Sequence, residues 1–246
     1  MNLEKAKQEF EKYVNNYDLS NEKINRKYYH SLRVMENAGK IAENINLSYE
    51  QIELAKLIGL LHDIGRFEQA KIYNNFRDHE TIDHGDLGTQ ILQESNYIRN
   101  FIEDDKYDNI ILKAVKNHNK FEIEKDLSEQ ELLYTKIVRD ADKLDIFYEG
   151  SEIFWSKKEE IEKINDSQIT PEIWAEFKQK KLVDRAKTKT PADGIINFIS
   201  FIYDLNYEYT YKEIQNKNYI SKILNRFNFK NEQTAKQMEE VRKVWN

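Results

Sequence analysis

The chain has 246 residues, a formal net charge of −6, 7 glycines, 2 prolines and no cysteine. That length suffices for one sizeable domain that buries a core without cross-links, and the missing thiols exclude disulfides, thiolate zinc sites and cysteine nucleophiles together. The acidic balance argues against a mainly electrostatic grip on long nucleic acid, which needs a concentrated positive surface, and leaves small anionic ligands open.

Apolar residues recur at helical spacing in almost every segment, so the expected fold class is all-α, a helical bundle with a C-terminal helical extension. The first helix, from Leu3 to about Tyr17, places Leu3, Ala6, Phe10, Tyr13, Val14 and Tyr17 on one stripe. A second begins near Ser20-Asn21 and continues to about Asn44. Ser48 followed by Gln51 gives a capping-box start for a third, ending at His62. The next segment, RFEQAKIYNNFRDHE (66–80), has the weakest periodicity of the first half and reads as a loop, the kind of element that completes a site beside fixed helices.

Helices are expected over 81–95 and 107–118, then one started by Ser128 with Glu131 that carries IVRDADKLD. Beyond it come 150–165, two helices over 171–181 and 192–218 behind Thr170-Pro171 and Thr190-Pro191, and a final pair. No repeat or flexible linker interrupts the chain, so residues 1–150 are expected to form the main domain and 151–246 a helical extension packed on it. No apolar run approaches the roughly 20 residues of a membrane span, and the N-terminus lacks an apolar signal core; a cytoplasmic location is expected.

The five histidines are His30, His62, His79, His84 and His118. Steps of three and four put His30 in line with Val34, Ala38 and Ile41, His62 with Ala55 and Ile58, His84 with Leu87, Gly88 and Ile91, and His118 with Ile111, Ala114 and Val115. Four imidazoles thus share the core-facing stripe of four helices. Each alone reads as a hydrogen-bonded core residue, but four would need four separate acceptors, at about 1–3 kcal/mol for each left unsatisfied. One shared cation satisfies them all.

Asp63 adds a carboxylate beside His62. On the helix from Ser128, Leu133, Ile137, Ala141 and Leu144 face inward, Asp142 and Asp145 lie at the edge of that stripe, and Asp140 points toward solvent. Buried carboxylates need a positive partner. Imidazole with carboxylate and no thiolate suits a divalent transition metal, Fe, Mn, Zn, Co or Ni, more than Ca or Mg.

Taken in order, YYHSLRV, LLHDIGR, HGDLG, AVKNH and RDADKLD resemble the successive motifs of the HD-domain superfamily of metal-dependent phosphohydrolases, over about residues 20–150. The resemblance implies that His30, His62, Asp63 and Asp142 bind a first metal, and that His84 and His118 bind a second with Asp63 bridging. Arg66 stands where hydrolase branches of the family carry Lys or Arg, and reads either as a bidentate phosphate contact or as a helix C-terminal cation. Lys143, beside Asp142, reads either as a further phosphate contact or as a solvated cation. His79 lies off the inward stripe, as an exposed loop residue or one that serves substrate binding or proton transfer.

The implied activity is hydrolysis of a small phosphate ester or anhydride, a nucleotide above all, by a metal-activated water. A di-iron oxygenase on the same scaffold and a non-catalytic nucleotide-sensing module are the alternatives, and a homo-oligomer is left open. The chain lacks the GYP signature of the branch that degrades cyclic di-GMP. Aromatics in EGSEIFW (149–155) and NFISFIYDLNYEYTY (197–211) read as core packing ahead of base stacking. Basic KKLVDRAKTKT (180–190) reads as a solvated connection, although Arg185 or Lys187 is within reach of an anionic ligand.

Overall fold

The computed structural model describes residues 1–245, and every regular element in them is a helix, α or 3-10, with no strand among the described residues. The chain divides into two compact units, residues 1–145 and the stretch from Ile146 onward. No helix among the described residues is long and apolar enough to cross a membrane.

In the first unit, α1 (Leu3–Val14) starts where the Asn2 side chain accepts the Lys5 amide, and it buries Ala6, Phe10, Tyr13 and Val14. It stops short of Tyr17, where the Asn16 side-chain amide donates to the carbonyls of Lys12 and Tyr13. Helix α2 (Glu22–Asn44) buries His30, Val34, Ala38 and Ile41, the expected stripe. Helix α3 (Tyr49–Leu61) carries the expected capping box. Leu54, Leu57, Ile58 and Leu61 are buried along it, and each such side chain contributes about 1.5–3 kcal/mol. At Gly59 a Cβ would lie 2.9 Å from Met35 Cα and from the Val34 carbonyl oxygen, so only glycine lets α2 and α3 run this close.

The segment 66–80 is not a loop throughout. Helix α4 (Ile64–Tyr73) occupies its first half and ends at Asn74, whose left-handed backbone (φ 47°) asparagine tolerates. The helical pattern is masked because Gln69, a polar residue, is fully buried, its amide donating to Asp78 Oδ1, Thr81 Oγ1 and the Ile82 carbonyl. Helix α5 (His84–Gln93) begins behind Asp83, which accepts the Asp86 amide. Helix α6 (Asp108–Asn117) and α7 (Glu129–Glu152) follow. Ser128 and Glu131 cap α7 reciprocally, at 2.7 and 3.3 Å.

Helix α7 is enclosed on several sides, not along one stripe: Tyr134, Ile137, Val138, Arg139, Asp140 and Ala141 are all buried. Asp140, expected in solvent, is fully buried, because a central helix has no polar face to offer it.

In the second unit, α7 ends at Glu152, and α8 (Lys158–Asn165), α9 (Pro171–Lys178), α10 (Pro191–Ser200), α11 (Glu208–Asn216), α12 (Tyr219–Leu224) and α13 (Glu232–Trp245) follow. The continuous helix expected over 150–165 is interrupted, with Trp155 at φ 53° between α7 and α8. That expected over 192–218 breaks after Ser200 into a 3-10 turn, Phe201–Asp204. The Ser200 hydroxyl donates to the Asn197 carbonyl at 2.6 Å and accepts the Val183 amide at 2.9 Å, a side-chain bond that competes with the helix ladder. Thr190 forms a capping box with Asp193, whereas the Thr170 hydroxyl makes no cap bond and the Thr170 amide donates to Asp193 instead. The aromatics pack on one another, Trp155 on Phe198 and Phe227 with ring centroids 5.1 and 5.5 Å apart.

Candidate metal centre

Five helices deliver the six side chains to one place. His30 comes from the middle of α2, His62 caps α3, Asp63 forms the junction between α3 and α4, His84 opens α5, His118 caps α6 and Asp142 projects from α7. Gly65, two residues past Asp63, is what lets α4 meet α5: a Cβ there would stand 2.3 Å from the His84 carbonyl oxygen.

Asp63 Oδ2 lies 3.3 Å from His30 Nε2 and 3.4 Å from His62 Nε2, and these two nitrogens are 3.2 Å apart. Asp142 Oδ1 closes this group, 3.1 Å from His30 Nε2 and 3.7 Å from His62 Nε2. On the other side Asp63 Oδ1 lies 3.3 Å from His84 Nε2 and 3.5 Å from His118 Nε2, which are 2.9 Å apart. Ligand atoms held about 2.1 Å from one ion sit about 3.0–3.4 Å from each other in octahedral or tetrahedral geometry. Most of the separations in both groups fall in or within 0.1 Å of that range, the widest being 3.7 Å between Asp142 and His62.

Each imidazole is fixed from behind through Nδ1. His62 Nδ1 donates to the Gly59 carbonyl at 2.7 Å and His118 Nδ1 to the Val115 carbonyl at 2.6 Å. A carbonyl only accepts, so the proton of the neutral ring is on Nδ1 and the Nε2 lone pair faces the group. His30 Nδ1 meets Asp145 Oδ2 at 2.6 Å and His84 Nδ1 meets Asp78 Oδ2 at 2.7 Å, the carboxylate backing that metal-ligating histidines carry. At His84 and His118 lone pairs aimed at one another across 2.9 Å, beside the Asp63 carboxylate, repel unless a cation stands between them. The donor set fits metal ions.

The titration of these groups follows from the same contacts. Burial pushes the His62 imidazole down, and burial with nearby Arg66 takes His84 down to about 3, against the pull of Asp78. His30 is the exception: burial and Lys27 lower it, but bonds to Asp142, Asp145 and Asp63 outweigh them and raise it to about 10. Burial alone would raise the Asp63 carboxyl; Lys27 and the surrounding imidazoles hold it well below its usual range.

Around the six lies a layer that the sequence did not disclose. Lys27 Nζ contacts Asp63 Oδ2 at 2.6 Å, and Arg33 forks onto Asp145 at 2.6 and 2.9 Å. Lys27 precedes His30 by one helical turn, a spacing that could have marked it. Asp78 lies where no periodicity gives a face, and nothing in the pattern pointed to it. Arg139 Nη1 donates to the carbonyls of Asn117, His118 and Lys120, pinning the end of α6 that carries His118.

Of the other expected site residues, Arg66 is near: its Nε is 3.7 Å from Asp63 Oδ1, and its Nη1 donates to Asp78, Gln69 and the Phe76 carbonyl. Lys143 is buried, its ammonium donating to the Arg139 carbonyl at 3.4 Å. His79 is not brought to the cluster; its side chain is 70% exposed and lies 3.6 Å from Glu80.

Comparison with known families matches residues 28–146 to the HD domain, a span that contains all six converging side chains. No curated protein and no solved structure matches the chain. The match and the buried imidazole and carboxylate cluster together indicate metal-dependent, hydrolase-type chemistry. Residues 28–146 are thus similar to the HD domain, and the converging side chains lie within that similarity.

Proposed function

We propose that the chain is a metal-dependent phosphohydrolase acting on a small phosphate ester or anhydride, with a nucleotide as the foremost class. His30, His62, Asp63 and Asp142 hold one divalent transition-metal ion, and His84, His118 and Asp63 a second. The observation that carries this reading is the division of the Asp63 carboxylate, one oxygen 3.3–3.4 Å from His30 and His62 and the other 3.3–3.5 Å from His84 and His118.

When bound, such ions acidify a water and neutralise charge on the attacking and leaving oxygens. The chain's own residues do the rest. Asp142, with 16% of its side chain exposed, is the most open of the six, so substrate and water arrive on its side. Arg66, held by Asp78, and Lys143 supply positive charge for the non-reacting phosphate oxygens. His79 is assigned no part, because it faces solvent beside Glu80.

The test is phosphate release from a panel of nucleotides and small phosphomonoesters by protein reconstituted with Mn, Co or Ni. Release abolished by chelator and by Asp63→Asn is expected. No release from any substrate, by protein shown to bind two ions, would sink the reading; oxygen uptake by the iron-loaded protein in its place would favour the di-iron oxygenase.

A further inference from the structure

Lys27 brings an ammonium into direct contact with the carboxylate shared by both groups: its Nζ is 2.6 Å from Asp63 Oδ2, and its side chain is only 12% exposed. The same Oδ2 faces His30 and His62. Lys27 therefore holds the charge position that an ion on those ligands takes over. A divalent ion on Oδ2 would stand within a few ångströms of the ammonium, and at that range like charges repel strongly even with solvent screening. Asp63, neutralised by ions, no longer holds it.

A place for the released ammonium is already framed. Lys27 Nζ lies 6.0 Å from the centroid of the Phe76 ring, and Arg66 Cζ lies 5.3 Å from the same centroid. Two cations thus share one aromatic ring beside Asp63. One is fixed, since Arg66 is tied to Asp78, Gln69 and the Phe76 carbonyl. The other sits on a flexible four-carbon stem whose rotatable donors suit a phosphate oxygen.

Resting on the two-ion reading above, we propose that Lys27 is a metal-released phosphate anchor: it neutralises Asp63 until ions bind, then swings to the substrate phosphate beside Arg66. Anion binding is thereby coupled to ion loading. The charge that would grip substrate is held on Asp63 until an ion displaces it.

The test uses the full chain, Mn²⁺ alone and inorganic phosphate as probes, and wild type, Lys27→Met and Lys27→Arg. Calorimetry is expected to show Mn²⁺ binding Lys27→Met about tenfold more tightly than wild type, as a competing charge has gone. Phosphate affinity of the Mn-loaded Lys27→Met should fall about tenfold to a hundredfold, the worth of a charge-assisted hydrogen bond. Lys27→Arg should restore both toward wild type. In wild type, the rate of Lys27 acetylation, followed by mass spectrometry, should rise on Mn²⁺ loading and fall again when phosphate is added, a readout that needs no variant to fold.

Unchanged Mn²⁺ and phosphate affinities in a folded Lys27→Met, or Lys27 acetylation insensitive to Mn²⁺, would overturn the anchor while leaving the two-ion centre standing. Wild type that binds no divalent ion would overturn both.

Discussion

His84 and His118 meet with their Nε2 atoms 2.9 Å apart, each ring held from behind, His84 by Asp78 and His118 by the Val115 carbonyl. With Asp63 Oδ1 at 3.3 and 3.5 Å they form a second group beside that of His30 and His62, with Asp63 common to both. Removing either imidazole should cost one ion and spare the other. His84→Ala and His118→Ala are each expected to lose about one metal equivalent by elemental analysis, and Asp63→Asn about two. Unchanged stoichiometry in the two histidine variants would contradict a second ion.

The carboxylates behind the rings give a finer test. Asp145 backs His30 and Asp78 backs His84, so Asp145→Asn should weaken the first ion and Asp78→Asn the second, each about 10–100-fold. Separate titrations of the two sites decide it. An equal effect of both substitutions on both ions would show that the backing is not site-specific.

Ion uptake should release a proton. In the metal-free protein His30 is raised to about 10, burial and Lys27 being outweighed by Asp142, Asp145 and Asp63, so at neutral pH its Nε2 carries a proton that the first ion must displace. The sign follows: affinity for that ion rises with pH, about tenfold per unit, and levels off above the His30 titration. Calorimetric titrations in two buffers of different ionisation enthalpy should return about one proton per ion at this site. A buffer-independent heat would mean that His30 is already neutral.

Close packing at the α4–α5 crossing sets a stability test. Gly65→Ala puts a methyl 2.3 Å from the His84 carbonyl oxygen and 2.7 Å from the Gly88 nitrogen, both backbone atoms, and is expected to destabilise by about 1–3 kcal/mol. Gly194→Ala is the control: nothing lies within 4 Å of its Cβ in α10, so it should stabilise by about 0.5–1 kcal/mol through helix propensity. Denaturant unfolding of the two variants checks both signs.

The sequence was most legible where apolar spacing and capping chemistry coincide. The helical class, the capped starts of α3, α7 and α10 and the inward faces of His30, His62, His84 and His118 followed from steps of three and four. It was least legible where burial and polarity part company. Gln69 hid α4 because its hydrogen bonds lie in another segment, and Asp140 is buried because α7 is surrounded, a property of tertiary packing. Lys27 meets Asp63 across 36 residues of chain, a pairing hinted at only by its place one turn before His30, and Asp78 meets His84 from a segment without periodicity.

The junction between α3 and α4 works as a caliper. Because Asp63 sits at that corner and faces a pair of imidazoles with each oxygen, the distance between two ions held there would be set by the bite of one carboxylate and by the tilt of the two helices that meet there. A longer arm at this corner, as in Asp63→Glu, would displace both jaws at once by about one carbon–carbon bond. The spacing of two such ions would therefore be inherited from backbone geometry, and a fixed gap between two charges would be in place before any substrate arrives.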